Sequence, residues 1–196
     1  MGAAVADGGD LEGAEALVLA STSPQRRAIL EQLGIPFVVV APRYEEIGDD
    51  PVEHAAGKAR SVDGEGRPVL GVDTDVFLDG RRLGKAETPA EAASMLGSLA
   101  GREHEVVSGL CLRGEGWEEL HRVVTLVEFR PLSAADVDRY VAAREWEGRA
   151  GAYAVQGLGA TLVARIDGDY LNVVGLPAAL LVRLLAERFP SRYGFG

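Results

Sequence analysis

Apolar runs of strand length alternate with capped helical segments along this 196-residue chain, and that alternation leaves few folds open. Ala16–Ala20 is a short β-type run that breaks at Ser21-Thr22-Ser23-Pro24, after which Ala28–Leu33 has helical spacing. Ser23 suits an N-cap and Pro24 the first helical position, so strand, loop and helix follow one another. Phe37–Val40 predicts a second strand and Pro51–Arg60 a short helix. Val69–Val72 and Val76–Leu78 are strand-like, with Asp79-Gly80 as a hairpin turn. Thr88-Pro89-Ala90-Glu91 has capping-box spacing, and its helix should stop near Gly101. Glu103–Leu112 and Trp117–Phe129 predict two long strands around the Arg113–Gly116 turn. Ser133 opens another helix; Thr161–Ile166, the turn Asp167-Gly168 and a helix from Pro177 follow. Hairpins interrupt the strand–helix alternation. The expected fold is therefore α/β with a mixed, twisted sheet and flanking helices.

Charge and composition exclude several function classes. A net charge of −10 argues against nucleic-acid binding, which needs a broad basic surface. A small phosphorylated ligand needs only a local positive pocket and stays open. No apolar run reaches membrane-spanning length, and residues 1–15 are Gly/Ala/acid-rich, which reads as a disordered leader and not a signal peptide. A single domain is expected over residues 16–196. Cys111 is the one cysteine, so no internal disulfide forms, and its apolar neighbours suit a buried small hydrophobe. A soluble, cytoplasmic protein with no membrane partner is expected. Only Lys58 and Lys85 among the twenty basic residues are lysines. Lysine offers a compact point charge where arginine offers a planar fork, so both positions merit attention.

Three segments carry candidate chemistry. Ser21-Thr22-Ser23-Pro24-Gln25-Arg26 leaves a strand and opens a helix, presenting backbone N–H groups, hydroxyls and a cation to an anion. An ordinary N-cap with solvated arginines is the competing reading. Asp73-Thr74-Asp75 follows an apolar strand, where carboxylates can hold Mg²⁺ or deprotonate water; a plain polar strand end is the alternative. The Asp79-Gly80 hairpin would return Lys85 toward Asp73. Glu45-Glu46 and Lys58 are weaker candidates, and His54, His104 and His121 lack metal-ligand spacing and read as structural. Gly157-Leu158-Gly159 lacks the third glycine of a dinucleotide loop.

Two family resemblances compete for these residues. Asp73-Thr74-Asp75-Val76 and Gly168-Asp169-Tyr170-Leu171-Asn172 resemble motifs of haloacid-dehalogenase-type phosphatases, in two short pieces only. The second resemblance spans nearly the whole chain. Leu17 to Arg26, Ile35-Pro36-Phe37, Glu45, Lys58-Ala59, Gly71 to Thr74, Leu78-Asp79-Gly80, Leu83-Gly84-Lys85, Gly151 to Gly157 and Gly168 to Pro177 are similar to the Maf family of nucleotide pyrophosphatases.

That resemblance implies a two-lobed, elongated architecture like that of inosine triphosphatases, with a central nucleotide cleft. The implied reaction hydrolyses a nucleoside triphosphate to a monophosphate and pyrophosphate, with Mg²⁺ or Mn²⁺. Asp73 would accept the proton of water and ligate the metal with Glu45. Ser21, Ser23, Arg26, Lys58 and Lys85 would hold the phosphates. Gln25, Thr74 and Gln156 stand at the specificity positions, where Thr74 and Gln156 resemble the dTTP/UTP branch and Gln25 replaces its arginine. Further departures are Asp75 at a usually apolar place, Arg149 for a lysine, and a short Glu45-to-Lys58 segment. The sequence leaves a homodimer open. A non-enzymatic nucleotide-binding regulator of cell division is the alternative, beside the phosphatase.

Overall fold

A computed structural model describes residues 16–195; the leader expected over residues 1–15 lies outside them. The elements run β1 (Leu17–Ala20), α1 (Pro24–Gln32), β2 (Phe37–Val39), α2 (Pro51–Arg60), β3 (Val69–Leu78), β4 (Arg81–Leu83) and α3 (Pro89–Leu99). They continue with β5 (Glu103–Gly114), β6 (Trp117–Phe129), α4 (Ala134–Ala143), β7 (Val163–Asp167), α5 (Tyr170–Val174) and α6 (Ala178–Arg188). All seven strands form one mixed sheet, in the order β2-β1-β3-β5-β6-β7, with β4 also paired to β3. β1 runs parallel to β2 and β3, and the other pairings are antiparallel. Among the described residues no helix is long and apolar enough to cross a membrane.

The local signals act as expected at most helix starts. The Ser23, Thr88 and Ser133 side chains accept from the backbone N–H three residues on, and Ser133 with Asp136 completes a capping box. The short helix α5 is absent from the sequence reading. Asp169 caps it, accepting from the Leu171 and Asn172 amides.

One expectation is corrected. The sequence splits the region around Asp73 into two strand pieces, whereas β3 is a single ten-residue strand running through it. Asp73, Thr74 and Asp75 pair with Gly109, Ser108 and Val107 of β5, so the ladder continues beneath the polar side chains. On the opposite edge of β3, β1 pairs only as far as Gly71 and β4 pairs only from Val76 onward. The polar triplet thus occupies a gap between two neighbouring strands.

Two cores flank that gap. Leu17, Leu19, Leu70, Val72 and Leu110 pack with Leu181 and Leu185 on one side. Val76, Leu78 and Val106 pack with Leu96, Phe129 and Tyr140 on the other. Burying a leucine-sized side chain contributes roughly 1.5–3 kcal/mol, so each side has its own apolar reason to hold its end of β3 and β5.

Helix α2 lies directly on the sheet because two glycines allow it. A Cβ on Gly109 would fall onto the Pro51 carbonyl, and one on Gly71 onto the Ala55 carbonyl. Ala55, Ala56 and Ala59 keep the rest of the contact thin and pack with Val18, Val69 and Cys111. Burial pushes the Cys111 thiol up to about 12, which keeps it protonated and unreactive.

Candidate active site

The gap beside β3 opens into a cleft of about 670 Å³ lined by Ser21, Ser23, Gln25, Arg26, Glu46, Lys58, Asp73, Thr74, Asp75, Lys85, Arg149 and Tyr153, among others. Asp73 is 7% exposed and is held by α2. Lys58 Nζ lies 2.6 Å from its Oδ1, and His54 Nδ1 lies 3.2 Å from its Oδ2. His54 and Lys58 are four residues apart on α2, so they share one face of the helix above Asp73. Lys58 also reaches Glu46 Oε1 at 2.6 Å.

These contacts decide the charge of Asp73. Burial alone would raise its pKa. The Lys58 charge and hydrogen bond, the charge of Arg26 and the His54 contact more than reverse this, leaving the carboxyl below its ordinary range. Asp75, two residues along on the same strand face, goes the other way. Burial first and the nearby Asp73 charge second raise its pKa, against the opposing pull of Arg82.

Arg26 is a fixed, buried cation. Nε donates to the Gly175 carbonyl at 2.9 Å, Nη1 to Ser21 Oγ at 3.1 Å and Nη2 to Thr74 Oγ1 at 3.4 Å. Desolvation lowers its pKa, while Asp73, Glu46 and Asp75 favour its charge. A guanidinium carries its proton under either influence. One side chain therefore ties α1, the β1–α1 loop, β3 and the end of α5 together.

Glu46, His54 and Asp73 each offer a ligand atom within 4.8 Å of the others, a donor set that fits a divalent cation. His54 Nε2 lies 3.3 Å from the Ile47 carbonyl, as expected of an imidazole ligand whose second N–H is held by backbone. Two carboxylates with one imidazole suit Mn²⁺ at least as well as Mg²⁺.

Residues 16–188 match the family described as "Maf-like protein". The chain belongs to that family. Among similar Maf-like chains, a dTTP/UTP pyrophosphatase of Symbiobacterium thermophilum is 45% identical over 180 residues, 87% of this chain and 93% of the relative. One of Nitratidesulfovibrio vulgaris is 44% identical over 191 residues, 92% of this chain and 91% of the relative. One of Alcanivorax borkumensis is 40% identical over 181 residues, 86% and 93% respectively.

The Maf-like cleft gathers Ser21, Ser23, Gln25, Arg26, Lys58, Asp73, Thr74 and Lys85, as the sequence predicts. Lys85 forms an antiparallel bridge with Ala150, next to Arg149 on the same wall. Glu45 is exposed and outside the cleft lining; its neighbour Glu46 holds the place beside Lys58. Gln156 is likewise exposed and outside the lining, at the start of the 3₁₀ turn Gly157–Thr161. Tyr153, three residues earlier, lines the cleft. The Thr74 hydroxyl lies 2.8 Å from Ser108 Oγ and 3.3 Å from the Gly175 carbonyl, and Gln25 Oε1 accepts from Ser23 Oγ at 3.1 Å.

His54, structural on the sequence reading, meets Asp73 directly through a ring nitrogen. The available signal was its spacing, one helical turn before Lys58. Asp169 of the phosphatase-like motif caps α5 and is absent from the cleft lining.

Proposed function

We propose that this Maf-like protein is a hydrolase that cleaves nucleoside triphosphates between the α and β phosphates, releasing a monophosphate and pyrophosphate. The observation that carries this reading is Asp73: a carboxylate held ionised in a cleft, with Lys58 and Arg26 beside it and Lys85 lining the same cleft. The relatives named dTTP/UTP pyrophosphatases support the same chemistry. Displacement at phosphorus is mostly positioning and charge neutralisation, which is what such a cleft supplies.

In this mechanism Asp73 accepts the proton of the water that attacks the α phosphorus. The α–β anhydride bond breaks as the new P–O bond forms, and pyrophosphate leaves with the bridging oxygen. Lys58, Arg26 and Lys85 neutralise the phosphate oxygens, and the Ser21 and Ser23 hydroxyls donate to them. Asp73, Glu46 and His54 would hold the divalent cation, with Glu46 in the role the sequence suggests for Glu45. When bound, that cation supplies further charge neutralisation and acidifies water. Thr74 and Gln25 face the nucleotide, and pyrimidine triphosphates are the proposed substrates, in the cytoplasm.

A panel of nucleoside triphosphates with Mg²⁺ or Mn²⁺ tests the reading, and monophosphate plus pyrophosphate is the expected outcome. Inorganic phosphate alone would indicate a phosphatase, and saturable binding without turnover a regulator. Asp73→Asn should lose turnover while keeping its fold by circular dichroism; retained turnover would remove Asp73 from the mechanism.

A further inference from the structure

Asp75 departs from the apolar residue usual at its position, and the structure gives it a dedicated partner. Arg82 on β4 stands opposite Phe77 in the β3–β4 register, so it shares the strand face of Asp75, one step along. Its Nε lies 2.8 Å from Asp75 Oδ2, and Asp75 is only 4% exposed. Nη1 of the same guanidinium reaches Asp49 Oδ1 at 3.0 Å and the Gly48 carbonyl at 3.4 Å. One arginine therefore joins the β3–β4 hairpin to the segment that precedes α2.

That segment has little else to hold it. Residues 45–50 are all exposed, and its one large apolar side chain, Ile47, is 75% exposed. No hydrophobic anchor fixes it, so its polar contacts must. Among the described residues they include the Asp50 cap on α2, where Val52 N donates to Oδ1 at 3.0 Å and His54 N to the carbonyl at 3.1 Å. The others are the Glu46–Lys58 pair, the Ile47 carbonyl on His54, Arg122 against Asp50 at 3.5 Å, and Arg82. Glu46 is 41% and Asp49 73% exposed, so neither ion pair holds the segment alone and the two must act together. The Asp75 contact is an ion pair without hydrogen-bond alignment and the Asp49 contact a hydrogen bond, and the breadth of the guanidinium lets one side chain reach both carboxylates.

We propose that Arg82 is a positioning residue: by clamping Asp49 to Asp75 it fastens the 45–50 segment across the cleft and so places Glu46 at the Lys58–Asp73 pair. The proposal rests on the reading of Glu46 as a metal ligand. It also gives Asp75 a role distinct from metal binding or repulsion of the triphosphate.

The test is Mn²⁺ binding without nucleotide, followed by electron paramagnetic resonance, together with amide hydrogen exchange over residues 45–50. Arg82→Ala should weaken Mn²⁺ about tenfold, the scale expected when an outer support of a ligand is removed. Exchange over residues 45–50 should accelerate in the same variant. Asp49→Ala alters an exposed residue with no burden on folding, and should move both readouts in the same direction. Combining the two should add little, because both cut one bridge. Should Arg82→Ala misfold for want of a charge beside Asp75, Asp75→Val with Arg82→Val removes both charges and should show the same two effects.

Unchanged Mn²⁺ affinity and unchanged exchange in Asp49→Ala and in the folded Arg82 variant would overturn the clamp. A raised KM for nucleotide with both readouts unchanged would also overturn it, by making Arg82 a substrate contact. Failure of the wild type to bind Mn²⁺ would overturn the metal reading of Glu46, whereas exchange over residues 45–50 would still report on the clamp itself.

Discussion

The Lys58 ammonium stands 2.6 Å from the Asp73 carboxylate and 2.6 Å from that of Glu46, so one charge joins a helix, a central strand and an exposed loop. The side chains of Lys58 and Asp73 are 12% and 9% exposed, where water screens the pair far less than at the surface.

Lys58→Met should therefore shift the acid limb of the kcat/KM profile to higher pH. Asp73 acts as a base only when ionised, burial opposes that ionisation, and Lys58 is the largest influence favouring it. Removing Lys58 raises the Asp73 pKa, so more alkaline conditions are needed to ionise it. A pH–rate profile at saturating Mn²⁺ is the measurement; an unmoved acid limb would mean that Asp73 does not govern it.

Lys85→Arg separates a point charge from a fork. Lys85 lines the cleft just after β4, and a planar guanidinium there would carry its charge to a different place. A fall of up to about a hundredfold in kcat/KM with unchanged thermal stability is expected, the scale on which a misplacement of about 1 Å acts. Near-wild-type activity would remove the special role of this lysine.

Gly109→Ala should cost about 3 kcal/mol of stability and most of the activity together. The new Cβ would meet the Pro51 carbonyl at the start of α2 and push that helix, with His54 and Lys58, away from Asp73. Urea denaturation and turnover measure the two effects. Gly97, with open space around it, is the control: Gly97→Ala should leave activity unchanged.

His104 gives a pH dependence of stability from a buried group behind the cleft-lining Tyr153. Its Nε2 lies 2.8 Å from Tyr153 Oη, and burial lowers its pKa to about 4 from 6.5. The unfolded chain thus takes up this proton first as pH falls. Stability is full above the unfolded value and is lost as pH drops from 6.5 toward 4. By about pH 5 the wild type should lose roughly 2 kcal/mol through this group, and His104→Gln should not. Urea midpoints near neutral and acid pH decide it; equal losses in both proteins would exclude His104 as the cause.

Much of the fold was legible because its signals are local. The Ser23, Thr88 and Ser133 caps, the Asp79-Gly80 turn and the two long strands before and after Glu115-Gly116 each depend on a few adjacent residues. At β3 the local signal misleads, because polarity inside a strand resembles its end. Pairing of Asp73, Thr74 and Asp75 with Gly109, Ser108 and Val107 on β5 keeps the ladder going. Helix α5 was missed because five residues give too short a pattern for periodicity to show.

The sequence by itself determined the mixed α/β class, the cleft-lining set from Ser21 to Lys85 and the candidate base Asp73, because these rest on short ordered motifs. The tertiary structure decided which side chains meet. It brought in Glu46 where Glu45 was expected, made His54 a partner of Asp73, left Gln156 outside the cleft and matched Asp75 with Arg82. Those outcomes depend on how closely α2 approaches the sheet and on which strands leave the edge of β3 open. Both are set by packing between residues far apart in the chain, which no local pattern encodes.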